Sequence, residues 1–180
     1  QWQRKAFQSL DDEDRRALAE SGVPVLDATS DLRPVIRDTD YNYLFAGAMD
    51  IAVAAEDFEH FLDSKPEAFE GNHTLETPLG RVALRGGATD DTLDPSPPVH
   101  HLLVVDLRGI DVYGAGIAIG GLAYPVQMVF DAAGDDRYLA EDRDSPCWGG
   151  AVAGYALLLD RDGNDEYRGV LATQGAAILG

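Results

Sequence analysis

Apolar residues follow two rhythms along this chain. Over residues 1–70 they recur at three- and four-residue steps, the spacing of one helix face. Over 72–180 they fall into short runs bounded by Gly, Pro or Asp, the pattern of strands. In the first stretch Ser9 stands before Leu10-Asp11-Asp12-Glu13, which sets acids against the positive end of a helix dipole. Leu10, Ala17 and Leu18 supply the apolar side, and Gly22 then Pro24 end the segment. A second helix is predicted to start after Thr39 or Asp40. Leu44, Phe45, Ala48, Met49, Ala52, Val53, Phe58, Phe61 and Leu62 carry its pattern, and Pro66 with Gly71 close it. Between the two, Val23–Leu26 and Asp31–Asp40 read as loop or a short edge strand.

Strand-like runs occupy 81–84, 101–105, 116–119, 126–130 and 155–159, and Asp94-Pro95-Ser96-Pro97-Pro98 reads as a rigid connector. The runs belong to a repeat. Val105-Asp106-Leu107-Arg108-Gly109-Ile110-Asp111-Val112-Tyr113, 130–138 and 159–167 all fit apolar-D-x-x-G-x-D-x-Y, and 86–93 is a degenerate copy with Leu93 at the Tyr place. Gly-flanked runs of small residues recur between copies, at 114–121, 149–154 and 174–180. In D-x-x-G the aspartate can accept nearby backbone N–H groups and the glycine can take a positive φ, so the chain turns at the same corner each time. The repeat therefore predicts a mostly β fold: a helical N-terminal cap, 1–70, on a short parallel β-solenoid, 72–180, of three to four coils. Tyr113, Tyr138 and Tyr167 are expected to line up along one edge. A segment such as 141–146 is expected to hold the extra residues of the longer steps.

The repeat concentrates acid. Stacked at about 4.8 Å, equivalent carboxylates repel unless a cation or N–H donors compensate. Asp106, Asp111, Asp131, Asp136, Asp160 and Asp165 are thus candidate metal ligands, and an all-carboxylate oxygen set suits Ca²⁺ rather than zinc. The competing reading is that each aspartate caps its own turn. Gly163-Asn164-Asp165-Glu166-Tyr167 resembles the second half of the calcium-binding nonapeptide repeat of RTX toxins and proteases, and 134–138 is similar. That resemblance implies Ca²⁺ between successive turns at Asp111, Asp136 and Asp165. The longer pattern also resembles uncharacterised bacterial repeat proteins. The chain departs from the nonapeptide by placing Asp106, Asp131 and Asp160 where glycine stands and by steps of 20, 25 and 29 residues between Leu93, Tyr113, Tyr138 and Tyr167.

Composition narrows the partners. The net charge of -18, from 32 acids against 14 bases, excludes nonspecific nucleic-acid binding and attraction to anionic membranes. No apolar run is long enough for membrane insertion. The single cysteine, Cys147, excludes an internal disulfide and has no basic neighbour to activate it. His60, His73, His100 and His101 lack ligand spacing and read as solvated or edge residues. No G-x-S-x-G or P-loop is present, while Asn72-His73-Thr74 fits a glycosylation sequon. The start at Gln1 reads as a processed or trimmed product. The opening of a new coil at 174 predicts a protein partner or further polypeptide there. These features predict a noncatalytic scaffold or interaction domain, secreted or at a cell surface. The alternative is a carbohydrate-active β-helix hydrolase or lyase acting on a glycan through paired aspartates, with Asp135, Asp136, Asp162 and Asp165 as candidates.

Overall fold

The computed structural model describes residues 1–20, 33–64, 70–93, 100–140, 148–170 and 173–179. The expectations placed on 22–26, Pro66, the 94–98 connector, 141–146 and Cys147 lie outside them. The described chain runs α1 (Trp2–Ala6), α2 (Asp12–Glu20), α3 (Arg33–Asp38), α4 (Tyr41–Ser64), β1 (Asn72–Thr77), β2 (Gly80–Arg85), β3 (Thr92–Leu93), β4 (His101–Asp106), β5 (Val112–Tyr113), β6 (Ile119–Gly121), β7 (Val126–Asp131), β8 (Arg137–Leu139), β9 (Gly150–Val152), β10 (Tyr155–Asp160), β11 (Glu166–Arg168) and β12 (Ala177–Ile178). None of these helices is long and apolar enough to cross a membrane.

The expected mostly β parallel solenoid of three to four coils under a helical cap is corrected. The fold is mixed, with four helices and a five-stranded sheet, β1-β2-β4-β7-β10, that contains both parallel and antiparallel pairs. The antiparallel member is β1, which pairs with β2 from Asn72↔Arg85 to Thr77↔Gly80. Only Pro78 and Leu79 separate these strands, and so tight a connection can join antiparallel partners only. The Thr77 hydroxyl fastens the turn by donating to the Gly80 carbonyl at 2.6 Å. Two smaller sheets, β11-β8-β5-β3 and β12-β9-β6, complete the β part.

Register in the parallel pairs puts equivalent motif positions side by side. Asp106 pairs with Asp131 and Asp131 with Asp160, at the ends of β4, β7 and β10. Leu93, Tyr113, Tyr138 and Tyr167 align through β3, β5, β8 and β11. The tyrosine rings stack with centroids 4.7 and 4.5 Å apart. Between the sheets, Ala83, Val104, Val129, Tyr113, Tyr138 and Trp148 form one buried core.

The helices cover a flank. Tyr155 donates to the Leu44 carbonyl at 2.8 Å, Phe58 packs on Phe130 at 4.7 Å, and Arg161 pairs with Asp63 at 2.6 Å. Ala6, Phe7, Leu10 and Leu44 share a second core with Val152 and Tyr155. Helix α4 therefore lies against β7 and β10, whereas the first parallel strand, β2, is bordered by β1. Asp40 caps α4 at the Asn42 N–H (3.0 Å), matching the expected start. The cap of α2 is Asp11, which accepts the Glu13 and Asp14 N–H groups at 2.9 and 2.8 Å, while the Ser9 hydroxyl turns away to the Asp38 carbonyl. Helix α3 replaces the loop or strand expected over 31–40, because Pro34 sits in the first turn, where a missing N–H costs nothing.

Glycine in the motif has a packing reason. A Cβ on Gly134 would meet the Gly109 carbonyl oxygen of the preceding copy, and one on Gly163 would collide with the Gly134 carbonyl oxygen. Gly134→Ala should lower stability by about 2 kcal/mol, roughly 4–8 °C in Tm. Gly121→Ala, whose Cβ would find only the Val152 carbonyl oxygen at 3.8 Å, should shift Tm far less. Thermal melts of the two variants check the difference.

Candidate metal centre

Each motif contributes two aspartates with different tasks. The second aspartate reaches back one copy. Asp111 Oδ1 accepts the Asp91 N–H (2.6 Å), Asp136 Oδ1 accepts the Asp111 N–H (2.6 Å), and Asp165 Oδ1 accepts the Asp136 N–H (2.9 Å). The residue before it makes the opposite stitch in two copies, Ile110 N–H to Asp90 Oδ1 at 3.1 Å and Asn164 N–H to Asp135 Oδ1 at 2.9 Å.

The first aspartate ends its strand beside the tyrosine column. Asp131 Oδ2 accepts the Tyr113 hydroxyl at 2.5 Å and the Tyr138 hydroxyl at 3.5 Å, and Asp160 Oδ2 accepts the Tyr167 hydroxyl at 2.5 Å. Only Asp106 makes the expected turn bond within its own copy, to the Arg108 N–H at 3.3 Å. Asp131 and Asp160 show no such bond, since their carboxylates face the tyrosine hydroxyls instead. In β2 the paired position is Arg85, which lies 3.8 Å from Asp91 and brings a cation to one end of the acidic column.

Two clusters result. Asp111, Asp131 and Asp136 place one carboxylate oxygen each within 4.8 Å of one another, and Asp91, Asp106 and Asp111 do the same. Asp106, Asp111, Asp131 and Asp136 are at most 1% exposed. One oxygen of each, Oδ2 of Asp106, Asp111 and Asp136 and Oδ1 of Asp131, has no hydrogen-bond partner. Of the six candidate ligands, these four enter the clusters, and Asp160 and Asp165 enter neither. Asp91 is the cluster member missed in the sequence. Its signal was the degenerate copy, where it falls two residues before Leu93 just as Asp111 precedes Tyr113.

The electrostatics follow from burial. At these separations two carboxylates repel by about 3 kcal/mol at an effective dielectric near 20. The clusters must therefore hold protons or a cation. Desolvation, reinforced by neighbouring carboxylates, pushes Asp106 up to about 8. Desolvation also pushes Asp131 up to about 7, against the Tyr113 hydrogen bond, and Asp111 up to about 6, against the bond from the Asp91 N–H. Asp136 and Asp160 are raised by desolvation as well. Clusters of buried aspartate of this kind could in principle hold a metal ion, and the donor set is all oxygen. The histidines take no part. His101 is buried rather than solvated, and His100 stacks on Tyr124 at 4.0 Å. The chain matches no family model, no curated protein and no solved structure.

A pH dependence follows for the metal-free protein. Asp106, Asp111 and Asp131 hold protons more tightly when folded than at the ordinary 3.8, so the unfolded chain releases protons that the native state keeps. Their contribution is full below about pH 4 and is lost as pH rises through about 6 to about 8. In chelator, Tm should fall over that window. Calorimetry across the range checks the sign, and a Tm that rises would contradict it.

Proposed function

We propose that this domain is a noncatalytic scaffold that binds protein partners and is stabilised by Ca²⁺ in its aspartate clusters. The observation that carries the reading is the burial of Asp106, Asp111, Asp131 and Asp136, each at most 1% exposed. Of the acids considered as a catalytic pair, Asp136 is sealed and cannot meet a polymer, while Asp135 and Asp162 are exposed and Asp165 is half-buried. The bonds of the buried aspartates to N–H and hydroxyl groups of neighbouring copies are the work of a structural element. Glycan cleavage would need two acids converging in an open cleft beside an exposed aromatic. Among the described residues, the cleft of about 480 Å³ beside Trp148 holds an exposed aromatic, Tyr167, but one acid only, Asp160, and Trp148 itself is 1% exposed.

An edge supports the partner half of the proposal. Strands β10, β11 and β12 each end their sheet. Along that edge Tyr167 is 37% exposed, while Tyr113 and Tyr138 are buried. The Asp165 N–H lacks the carboxylate acceptor that Asp91, Asp111 and Asp136 enjoy among the described residues. The occupant this edge fits is an extended protein segment that adds a strand to β10, sets a carboxylate on the Asp165 N–H and lays an aromatic ring on Tyr167.

Calcium is the discriminating ligand. In chelator at about pH 8, Asp131→Asn should melt higher than the unaltered chain, because it removes one charge from the cluster. In millimolar Ca²⁺ the order should reverse, because only the unaltered chain keeps the full ligand set. Melting curves that Ca²⁺ leaves unmoved would remove the metal from the reading. Release of soluble sugar from a polysaccharide panel, abolished by Asp160→Asn, would overturn the noncatalytic one.

A further inference from the structure

A second cavity lies away from the aspartates, where α1 and the start of α2 meet the β1–β2 turn and the 122–125 loop. It encloses about 390 Å³ and is lined by Gln3, Arg4, Phe7, Arg15, Leu79 and Tyr124 among others. That volume is within the range of small-molecule sites, about 300–1,000 Å³. Its lining runs against the rest of the chain. The protein carries 32 acids, yet no Asp or Glu lines this cavity among the described residues, and its two charged residues are both arginines.

Two arginines, Arg4 and Arg15, line the cavity. The Arg15 guanidinium is held by its Nε donating to the Leu10 carbonyl and its Nη2 to the Gln8 carbonyl, both at 3.0 Å, which leaves Nη1 free of these bonds. Arg4 is exposed, so its donors can reach an incoming group. Gln3 fixes α1 to the β part by donating to the Ala153 carbonyl at 2.8 Å and the Leu122 carbonyl at 3.3 Å. The lining also offers exposed apolar surface. Leu79 is 70% exposed, and Tyr124 is 56% exposed with its ring backed by His100.

We infer that this cavity binds a small amphipathic carboxylate, with its carboxylate on Arg4 and Arg15 and its apolar body against Leu79 and Tyr124. A guanidinium fork matches a carboxylate in geometry and charge. The surrounding field of a chain at -18 repels free anions, so binding needs both the local cations and the apolar contact. The site is independent of the aspartate clusters and of the proposed scaffold role.

The test uses 3-phenylpropionate and its neutral amide as probes, followed by calorimetric titration of the whole chain. The carboxylate should bind saturably and the amide roughly tenfold or more weakly, as loss of a charge-assisted hydrogen bond implies. Arg4→Gln should weaken the carboxylate by a similar factor. Lys5→Gln makes the same change in net charge but removes an ammonium that sits over the Trp2 and Tyr43 rings, and it should leave binding unchanged. Circular dichroism confirms that both variants are folded. Absence of saturable binding, equal binding of acid and amide, or equal effects of the two substitutions would each overturn the site.

Discussion

The backbone-to-carboxylate stitch between successive motif copies is the interaction on which the β part depends. A parallel sheet pairs strand with strand, but it does not by itself say which residue stands beside which. Here Asp111, Asp136 and Asp165 each take the N–H of the equivalent aspartate one copy earlier, and the three bonds set the register of everything that follows. Two residues further on, Tyr113, Tyr138 and Tyr167 fall into one stack, with interplanar angles of 7° and 2°. Close approach at the stitch explains the motif glycine, since the carbonyls of Gly109 and Gly134 occupy the space where the next copy would carry a Cβ. An aspartate, a glycine and a tyrosine at fixed spacing are one device rather than three.

The same device creates an electrostatic problem. At Asp111 and Asp136 one oxygen is satisfied by an N–H, but the other, clustered with the first aspartates Asp106 and Asp131, has no partner. A proton or, in principle, a metal ion could fill that place. Burial favours the neutral carboxylic acid at low pH, whereas a divalent cation takes only the ionised form. The chain treats the two ends of the column differently. Arg85 brings a positive charge to Asp91 at one end, and at the other Asp160 and Tyr167 meet solvent in an open cleft. Pairing is thus completed within the chain on one side and left available on the other.

Much of the β part was legible because its signal is local and repeated. The tyrosine column, the pairing of Leu93 with Tyr113, and the clustering of four of the six candidate aspartates all follow from one spacing. The division of labour between aspartates was not legible, because D-x-x-G suggests a turn bond within its own copy and nothing in one copy reveals the oxygen donors of the next. The antiparallel strand β1 was hidden by polarity. Asn72-His73-Thr74-Leu75-Glu76-Thr77 has an almost wholly exposed edge, so it lacks the apolar run that marked the other strands. Helix α3 was obscured because Asp31–Asp40 is rich in turn-forming residues, which read as loop or a short edge strand. The seat of the helices on β7 and β10 depends on contacts such as Phe58 with Phe130, more than 70 residues apart in sequence, which no local pattern contains.

The uneven steps of 20, 25 and 29 residues also find a physical account. In the three full copies the first aspartate stands seven residues before the tyrosine, because the stitch and the ring stack tolerate no slip, whereas in the degenerate copy the position paired with Asp106 is Arg85, eight residues before Leu93. Between the full copies the variation falls after the tyrosine, where the chain has left both columns. There the demand is only that it return to the next strand. The return is itself ordered in part by a smaller set of bonds, Trp148 N–H to the Ile117 carbonyl at 3.2 Å and Gly175 N–H to the Trp148 carbonyl at 3.3 Å, around residues of positive φ. Length is therefore free to grow where no side chain must meet its counterpart, and constant where a carboxylate must find one N–H. That contrast separates the structural aspartates from the rest of the acid in a chain of net charge -18.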